Sequence, residues 1–234
     1  MKNDGFDRRA FLKSAVAGGA AAATVTIPQT AQAQSGAAPA AASAGYAFLN
    51  PEEAAFVEAL VDHMVPADAL TPKGTDLGLN TFIDRALAGG WGKGDRLYMQ
   101  GPWKPGVPSQ GYQLPLTPAE LYRNGIIAAN AHCVKTYKKT FDKITEAERE
   151  EFLLALQAGK VTFENGPPAR AFFTQAYQTV MEGMFADPMY GGNKNKAGWK
   201  LIGFPGVIAV NYQNVEKYRD KPFPHNPVSI TDMS

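Results

Sequence analysis

Helix-start signals, rather than strand patterns, determine what this chain can fold into. Asn50-Pro51-Glu52-Glu53 places an N-cap asparagine, a proline at the first helical position and two acids at the positive end of a helix. Thr117-Pro118-Ala119-Glu120 and Thr145-Glu146-Ala147-Glu148 have the Thr-x-x-Glu pattern of a capping box. No lasting stretch alternates apolar and polar residues as a half-buried strand does. The sequence therefore predicts an all-α single domain.

Apolar periodicity predicts about six helices, joined by long Gly/Pro-rich loops. The expected helices lie at about residues 50–65, 79–87, 117–140, 145–159, 168–186 and 198–203, followed by an extended tail. In the fifth helix, the pairs Phe172/Phe173, Ala176/Tyr177, Val180/Met181 and Met184/Phe185 recur every four residues, which predicts burial along a broad stripe. Residues 89–116 hold seven glycines and four prolines and are long for a loop, which favours a functional role.

The N-terminal residues differ from the rest of the chain and resemble an export signal. A charged start precedes an Ala/Gly-rich run and an Ala-x-Ala cleavage site at Ala31-Gln32-Ala33. The start matches the twin-arginine signature, the address for export of folded proteins, at Arg8, Arg9, Phe11 and Leu12. An ordinary secretory signal that carries two arginines is the alternative. Either signal predicts a periplasmic protein.

These boundaries divide the chain into three expected segments. Residues 1–33 are the predicted twin-arginine signal peptide. Residues 34–45 are almost all small and are expected to form a flexible tether, because they cannot bury enough apolar surface to fold. Residues 46–234 are expected to form the helical domain.

The sequence offers this chain no motif for a cofactor, metal or catalytic site of its own. A net charge of +1 is too small to attract nucleic acid. The single cysteine, Cys133, cannot form an internal disulfide, a cysteine-based metal site or a haem attachment. The glycines of residues 89–94 follow a helix and do not match the dinucleotide fingerprint. His63, His132 and His225 do not have the spacing of a di-iron site, and we assign them no role.

Residues 186–206 have an unusual composition for a loop. Gly191-Gly192 and Gly203-Phe204-Pro205-Gly206 require special backbone angles. The same segment offers large apolar side chains at Met189, Tyr190, Trp199 and Phe204. A partner interface and a loop packed over its own core are both compatible with this composition.

The same residues carry a resemblance to a known family. Asp187-Pro188-Met189-Tyr190-Gly191-Gly192-Asn193, followed by Gly198-Trp199-Lys200-Leu201-Ile202-Gly203-Phe204-Pro205-Gly206, resembles the signature of the gluconate 2-dehydrogenase small-subunit family, also called subunit 3 or the gamma chain. The resemblance extends to the leader, to His63-Met64-Val65-Pro66-Ala67-Asp68 and to the helix that begins at Thr117. It therefore covers most of the chain after the leader.

The resemblance implies a non-catalytic subunit and export escort. In that family the small chain accompanies a large flavoprotein that binds FAD and oxidises a sugar or sugar acid, and usually a multihaem cytochrome c that passes electrons to membrane quinone. It implies no cofactor and no catalytic residue in this chain, and attachment to the inner membrane only through the complex. The expected partner interface consists of Tyr190, Trp199, Phe204 and Pro205.

Two other functions and two roles for the thiol remain open at the level of sequence. The chain could be a freestanding periplasmic ligand-binding protein in which residues 89–116 cover an aromatic pocket. It could also be an enzyme that uses His132 and nearby acids. Cys133 is either an inert core residue or the site of a disulfide to the partner subunit.

Overall fold

Seven α-helices form the part of the chain that the computed structural model describes, which is residues 45–104, 106–207, 212–223 and 226–233. No β-strand occurs within these ranges. The helices are α1 (Pro51–Met64), α2 (Leu79–Ala88), α3 (Pro118–Tyr137), α4 (Glu146–Gln157), α5 (Ala169–Phe185), α6 (Ala197–Ile202) and α7 (Tyr212–Lys217). The prediction of an all-α fold is confirmed.

Helices α1 to α6 correspond to the six expected helices, whereas α7 lies in the tail that was expected to be extended. Helix α7 has only six residues, and neither an apolar period nor a pair of bounding glycines marks it in the sequence. Helix α3 ends at Tyr137 because Lys138 adopts a left-handed conformation, three residues before the predicted end.

The three helix starts use the predicted capping residues. The Asn50 side chain accepts a hydrogen bond from the Glu53 amide at 2.9 Å, and the Glu53 carboxylate accepts one from the Asn50 amide at 3.0 Å. Thr117 and Thr145 form the same reciprocal pair with Glu120 and Glu148. Each box satisfies amides that a helix start leaves without an intrahelical partner.

An aromatic cluster forms the centre of the core between α1, α3, α4 and α5. The Phe56 ring lies 4.5 Å from the Phe141 ring and 6.1 Å from the Phe172 ring, measured between centroids. Tyr122 meets Phe172 edge-on. A Cβ atom on Gly125 would lie 2.1 Å from the Phe172 ring, so this glycine lets α3 approach α5 closely.

The broad buried stripe predicted for α5 is only half covered, which corrects the sequence expectation. The first residue of each apolar pair is buried, at Phe172, Ala176, Val180 and Met184. The second residues are partly buried or exposed, with Tyr177 49% and Met181 36% exposed. Helices α2, α3 and α4 pack against α5. In the second row, Phe173 and Phe185 are partly buried against the core, whereas Tyr177 and Met181 stay exposed. Periodicity gives the width of an apolar stripe but not how much of it the same chain covers.

A buried carboxylate fixes the segment that leads into α1. The Asp84 side chain on α2 accepts hydrogen bonds from the amides of Ala47, Phe48 and Leu49 at 2.7, 2.8 and 3.0 Å. The Arg123 guanidinium lies 4.4 Å from the centre of the Phe48 ring. The start of the described domain is therefore held by specific polar contacts as well as by packing.

Within the described residues, no helix has the length and apolar content needed to cross a membrane.

Candidate partner interface

Residues 187–206, which we call the signature loop, fold onto the end of α5 through a sequence of polar contacts. Asp187 begins this loop, and its carboxylate accepts hydrogen bonds from the Met189 amide at 3.0 Å and from the Ile230 amide at 2.9 Å. The first contact caps the turn Pro188–Tyr190, and the second attaches the C-terminal residues to it. One buried acid thus ties two segments together that are far apart in sequence.

Asn193 fixes the middle of the signature loop. It is fully buried and has a left-handed backbone, with φ of 48°. Its side chain accepts a hydrogen bond from the Gly198 amide at 2.8 Å and donates one to the Ala186 carbonyl at 2.9 Å. Asparagine tolerates this backbone region better than most residues, and here both ends of its amide are used. The loop therefore has one preferred conformation.

Trp199 lies inside the signature loop, which corrects its expected place on the interface. Its side chain is 4% exposed. The indole N–H donates to the Phe185 carbonyl at 2.7 Å, which satisfies one of the carbonyls left free at the end of α5. A Cβ atom on Gly198 would lie 2.2 Å from the Met184 carbonyl oxygen, so the glycine allows the close approach that buries the indole. Trp199 positions the loop and does not present a surface of its own.

Other apolar side chains of the signature loop point to solvent. Phe204 contacts the edge of the Trp199 ring, with centroids 5.3 Å apart, and is exposed on its other face. The remaining exposed apolar residues are Met189, Tyr190, Leu201 and Ile202. Of the four predicted interface residues, Tyr190 and Phe204 are exposed and Pro205 is half-buried. The loop thus combines a buried, hydrogen-bonded frame with an exposed apolar surface, as many interfaces do.

The C-terminal residues brace this surface from one side. The Val228 amide donates to the Pro205 carbonyl at 3.1 Å, and the Val207 amide donates to the Val228 carbonyl at 2.8 Å. The Lys196 ammonium bonds the Pro227 carbonyl at 3.0 Å and also contacts the Asp232 carboxylate. This contact lowers the pKa of Asp232 below its usual range. The C-terminal residues therefore stabilise the conformation of the loop that carries the exposed apolar residues.

The charged residues of the signature loop are mostly basic. After the buried Asp187, it carries three lysines and no acid, and Lys196 is the one that pairs with Asp232. Lys194 and Lys200 are exposed and form no ion pair with the described residues. An apolar surface with a basic margin favours a partner surface with acidic groups at its margin.

Cys133 lies in the core on α3, with no exposed surface. Burial raises the pKa of its thiol to about 12, and the Glu148 carboxylate adds to the shift. A thiol so placed remains protonated at neutral pH and cannot reach a second chain while α3 is packed. This placement is the one expected of an inert core cysteine.

The histidines do not form a site within the described residues. The His63 ring nitrogen lies 2.8 Å from a Glu150 carboxylate oxygen on the surface. His132 stacks on Phe152, and burial together with the nearby Lys135 lowers its pKa. His225 lies outside the described residues. No cluster of three potential metal ligands occurs in the described part of the chain.

Residues 106–114 border a groove of about 700 Å³ against α5. Tyr112 is its one aromatic residue and Arg170 its one charged residue among the described lining residues. The aromatic pocket expected for a freestanding binding protein is therefore not found beneath this part of the loop.

Sequence reasoning located the signature loop but missed the residues that shape it. Asp187 was not predicted to have a structural role, because one of its partners, the Ile230 amide, lies 43 positions away along the chain. The partners of Asn193 lie only seven and five positions away, and an asparagine directly after a Gly-Gly pair was the available signal in the sequence. The predicted export residues Arg8, Arg9, Phe11 and Leu12 lie outside the described residues.

Comparison with known proteins gives one match. The family model described as Gluconate 2-dehydrogenase subunit 3 matches residues 51–206, which runs from the start of α1 to the end of the signature loop. Neither the curated proteins nor the solved structures give a significant match.

Proposed function

The chain belongs to the gluconate 2-dehydrogenase subunit 3 family, and on that premise we propose that it is the non-catalytic small subunit of a periplasmic, FAD-dependent gluconate or sugar dehydrogenase complex. In this role it binds and stabilises the flavoprotein subunit and escorts it through export. The family membership makes the chain a subunit of a dehydrogenase complex, and the finer statements are our proposal.

The observation that carries the proposal is the construction of the signature loop. Its frame is buried and hydrogen-bonded through Asn193 and Trp199, while Tyr190 and Phe204 remain exposed on it. Exposed aromatic side chains on a rigid support lose little conformational entropy on binding, which favours a stable protein interface. This loop also lies inside the family match.

The proposed partners divide the chemistry among themselves. The large subunit would hold FAD and oxidise the substrate, and a multihaem cytochrome c subunit would pass electrons to quinone in the inner membrane. This chain would hold no cofactor and would reach the membrane only through the complex. Its contribution would be to the stability and location of the flavoprotein.

The subunit role is tested by deletion and complementation in the native host. Deleting this chain should remove the periplasmic, FAD-dependent sugar dehydrogenase activity, and expressing the wild-type chain should restore it. A variant with Tyr190→Ser and Phe204→Ser should restore much less. The matched control is Leu154→Ser, which changes an exposed apolar residue on α4, away from the signature loop. Full activity in the deletion strain would refute the role.

The escort role has its own test. The substitutions Arg8→Lys and Arg9→Lys remove the twin-arginine signature while keeping the charge. Both this chain and the flavoprotein should then accumulate in the cytoplasm, because one signal serves two proteins. If the flavoprotein still reaches the periplasm while this chain stays behind, the escort role is wrong and the subunit role is unaffected.

A further inference from the structure

Helix α5 carries a second exposed surface, separate from the signature loop. We call it the α5 face, and it consists of Arg170, Phe173, Thr174, Tyr177 and Met181. These residues are spaced three or four apart, so they form one row along the helix. The row runs from Arg170 to Met181, and the 11 steps between them make it roughly 17 Å long at about 1.5 Å per residue.

The described residues cover the apolar part of this face only in part, because Phe173 is half-buried against the core and its neighbours along the row are exposed. The rings of Phe173 and Tyr177 stack nearly parallel, 14° apart with centroids separated by 6.1 Å. Tyr177 is 49% exposed and Met181 is 36% exposed. Aromatic residues and methionine are enriched at protein interfaces, and Tyr177 and Met181 are the apolar residues of the α5 stripe that remain exposed.

The α5 face continues directly into the groove beside residues 106–114. Arg170 and Thr174 belong to both surfaces, and Gln175 and Gln178 extend the groove wall along the same helix. The Gln178 amide N–H donates to the Glu182 carboxylate at 2.8 Å, which leaves its carbonyl oxygen as an acceptor, and the Gln175 amide can both donate and accept. Such groups suit the backbone of an extended peptide. The volume of about 700 Å³ is enough for a few residues of such a segment.

The charge of the groove indicates the character of its occupant. Arg170 is exposed and forms no ion pair with the described residues, and no acid lines the groove among them. A guanidinium offers paired donors that match a carboxylate. The complementary ligand is therefore an extended polypeptide segment with apolar side chains and at least one acidic residue.

We propose that the α5 face and its groove bind an extended acidic segment of the dehydrogenase subunit, as a second contact beyond the signature loop. The inference rests on the proposed function, because the partner is the subunit that function requires. Once one of the two contacts has formed, it holds the partner close and raises the effective concentration of the partner at the second contact. The two contacts together therefore bind more tightly than either contact alone.

The test measures binding of the purified dehydrogenase subunit to the full chain and to its variants by surface plasmon resonance. Tyr177→Ser should weaken binding about tenfold or more, as truncating an interface aromatic commonly does. Arg170→Gln should also weaken binding and flatten its dependence on salt, whereas Arg170→Lys should keep that dependence. Leu154→Ser, on α4, should bind like the wild type. Circular dichroism and urea midpoints should stay unchanged in all four variants.

The outcomes separate this inference from the function on which it rests. If the wild type binds and Tyr177→Ser binds equally tightly, the α5 face is not a contact, while the proposed function stands. If the wild type does not bind, the proposed function fails and the inference fails with it. If light scattering shows that the chain alone forms a dimer that Tyr177→Ser dissociates, the face serves self-association and the inference is overturned.

Discussion

Replacing Asn193 by alanine should destabilise the signature loop far more than the same change at a neighbouring position. The substitution leaves two polar groups without partners, the Gly198 amide and the Ala186 carbonyl. Each buried, unpaired group costs about 1 to 3 kcal/mol. Alanine in the left-handed conformation costs about 1 kcal/mol more than asparagine. The expected loss is about 3 to 7 kcal/mol, a large fraction of the stability of an ordinary domain.

The chain offers two controls that separate these contributions. Asn195 also has a left-handed backbone, with φ of 58°, but it is exposed. Asn195→Ala should therefore lose only the backbone contribution of about 1 kcal/mol. Asn193→Gly removes the hydrogen bonds without the backbone penalty, because glycine adopts positive φ freely, and should lose about 2 to 6 kcal/mol.

Urea unfolding gives the free energies, and hydrogen exchange at the Gly198 amide reports the loop directly. In Asn193→Ala the free energy of unfolding should fall and the Gly198 amide should exchange faster, in contrast to Asn195→Ala. If the two variants have the same stability and the same Gly198 exchange, Asn193 does not hold the loop. The structural basis of the interface would then be wrong.

Three further predictions concern the rest of the domain. Asp84→Asn should reduce the free energy of unfolding by about 2 kcal/mol and expose residues 47–49 to proteases, because a carboxylate that accepts three amides is replaced by a neutral group. The pKa of His132, measured by NMR, should lie below the ordinary histidine value, because burial and Lys135 disfavour the charged imidazole. The neutral His132 side chain should contribute fully to the free energy of unfolding at pH values above the ordinary histidine pKa. This contribution should be lost as the pH falls through the lowered pKa. Cys133 should react with a thiol reagent at pH 8 only on unfolding, since a pKa of about 12 leaves about one thiolate in ten thousand; rapid labelling of the folded chain would contradict this.

The parts of the fold that the sequence predicted are those set by local chemistry. Each helix cap depends on a partner only three residues further along the chain, and the first turn of a helix brings the two residues together. The capping residues are Asn50, Thr117 and Thr145. The helix boundaries followed from these residues and from apolar spacing. The fold class followed because no segment offered a strand pattern to compete with them.

The parts that the sequence did not predict depend on contacts between distant residues. Trp199 and Phe204 both look like interface aromatics in the sequence, yet one is buried, because the Phe185 carbonyl at the end of α5 accepts its N–H. Tyr177 and Met181 look like core residues, yet both side chains are exposed. Burial of an apolar side chain is decided by what packs against it, which a single sequence does not contain.

The most direct test of the central claim is the composition of the assembly that this chain forms. A tagged copy, purified under mild conditions from the periplasm of the native host, is analysed by native mass spectrometry and visible absorption. We expect a complex that contains a large subunit with FAD absorption, together with a haem protein, and dehydrogenase activity that the isolated chain lacks. Recovery of the chain alone, or of a chain that oxidises a sugar without a partner, would contradict it.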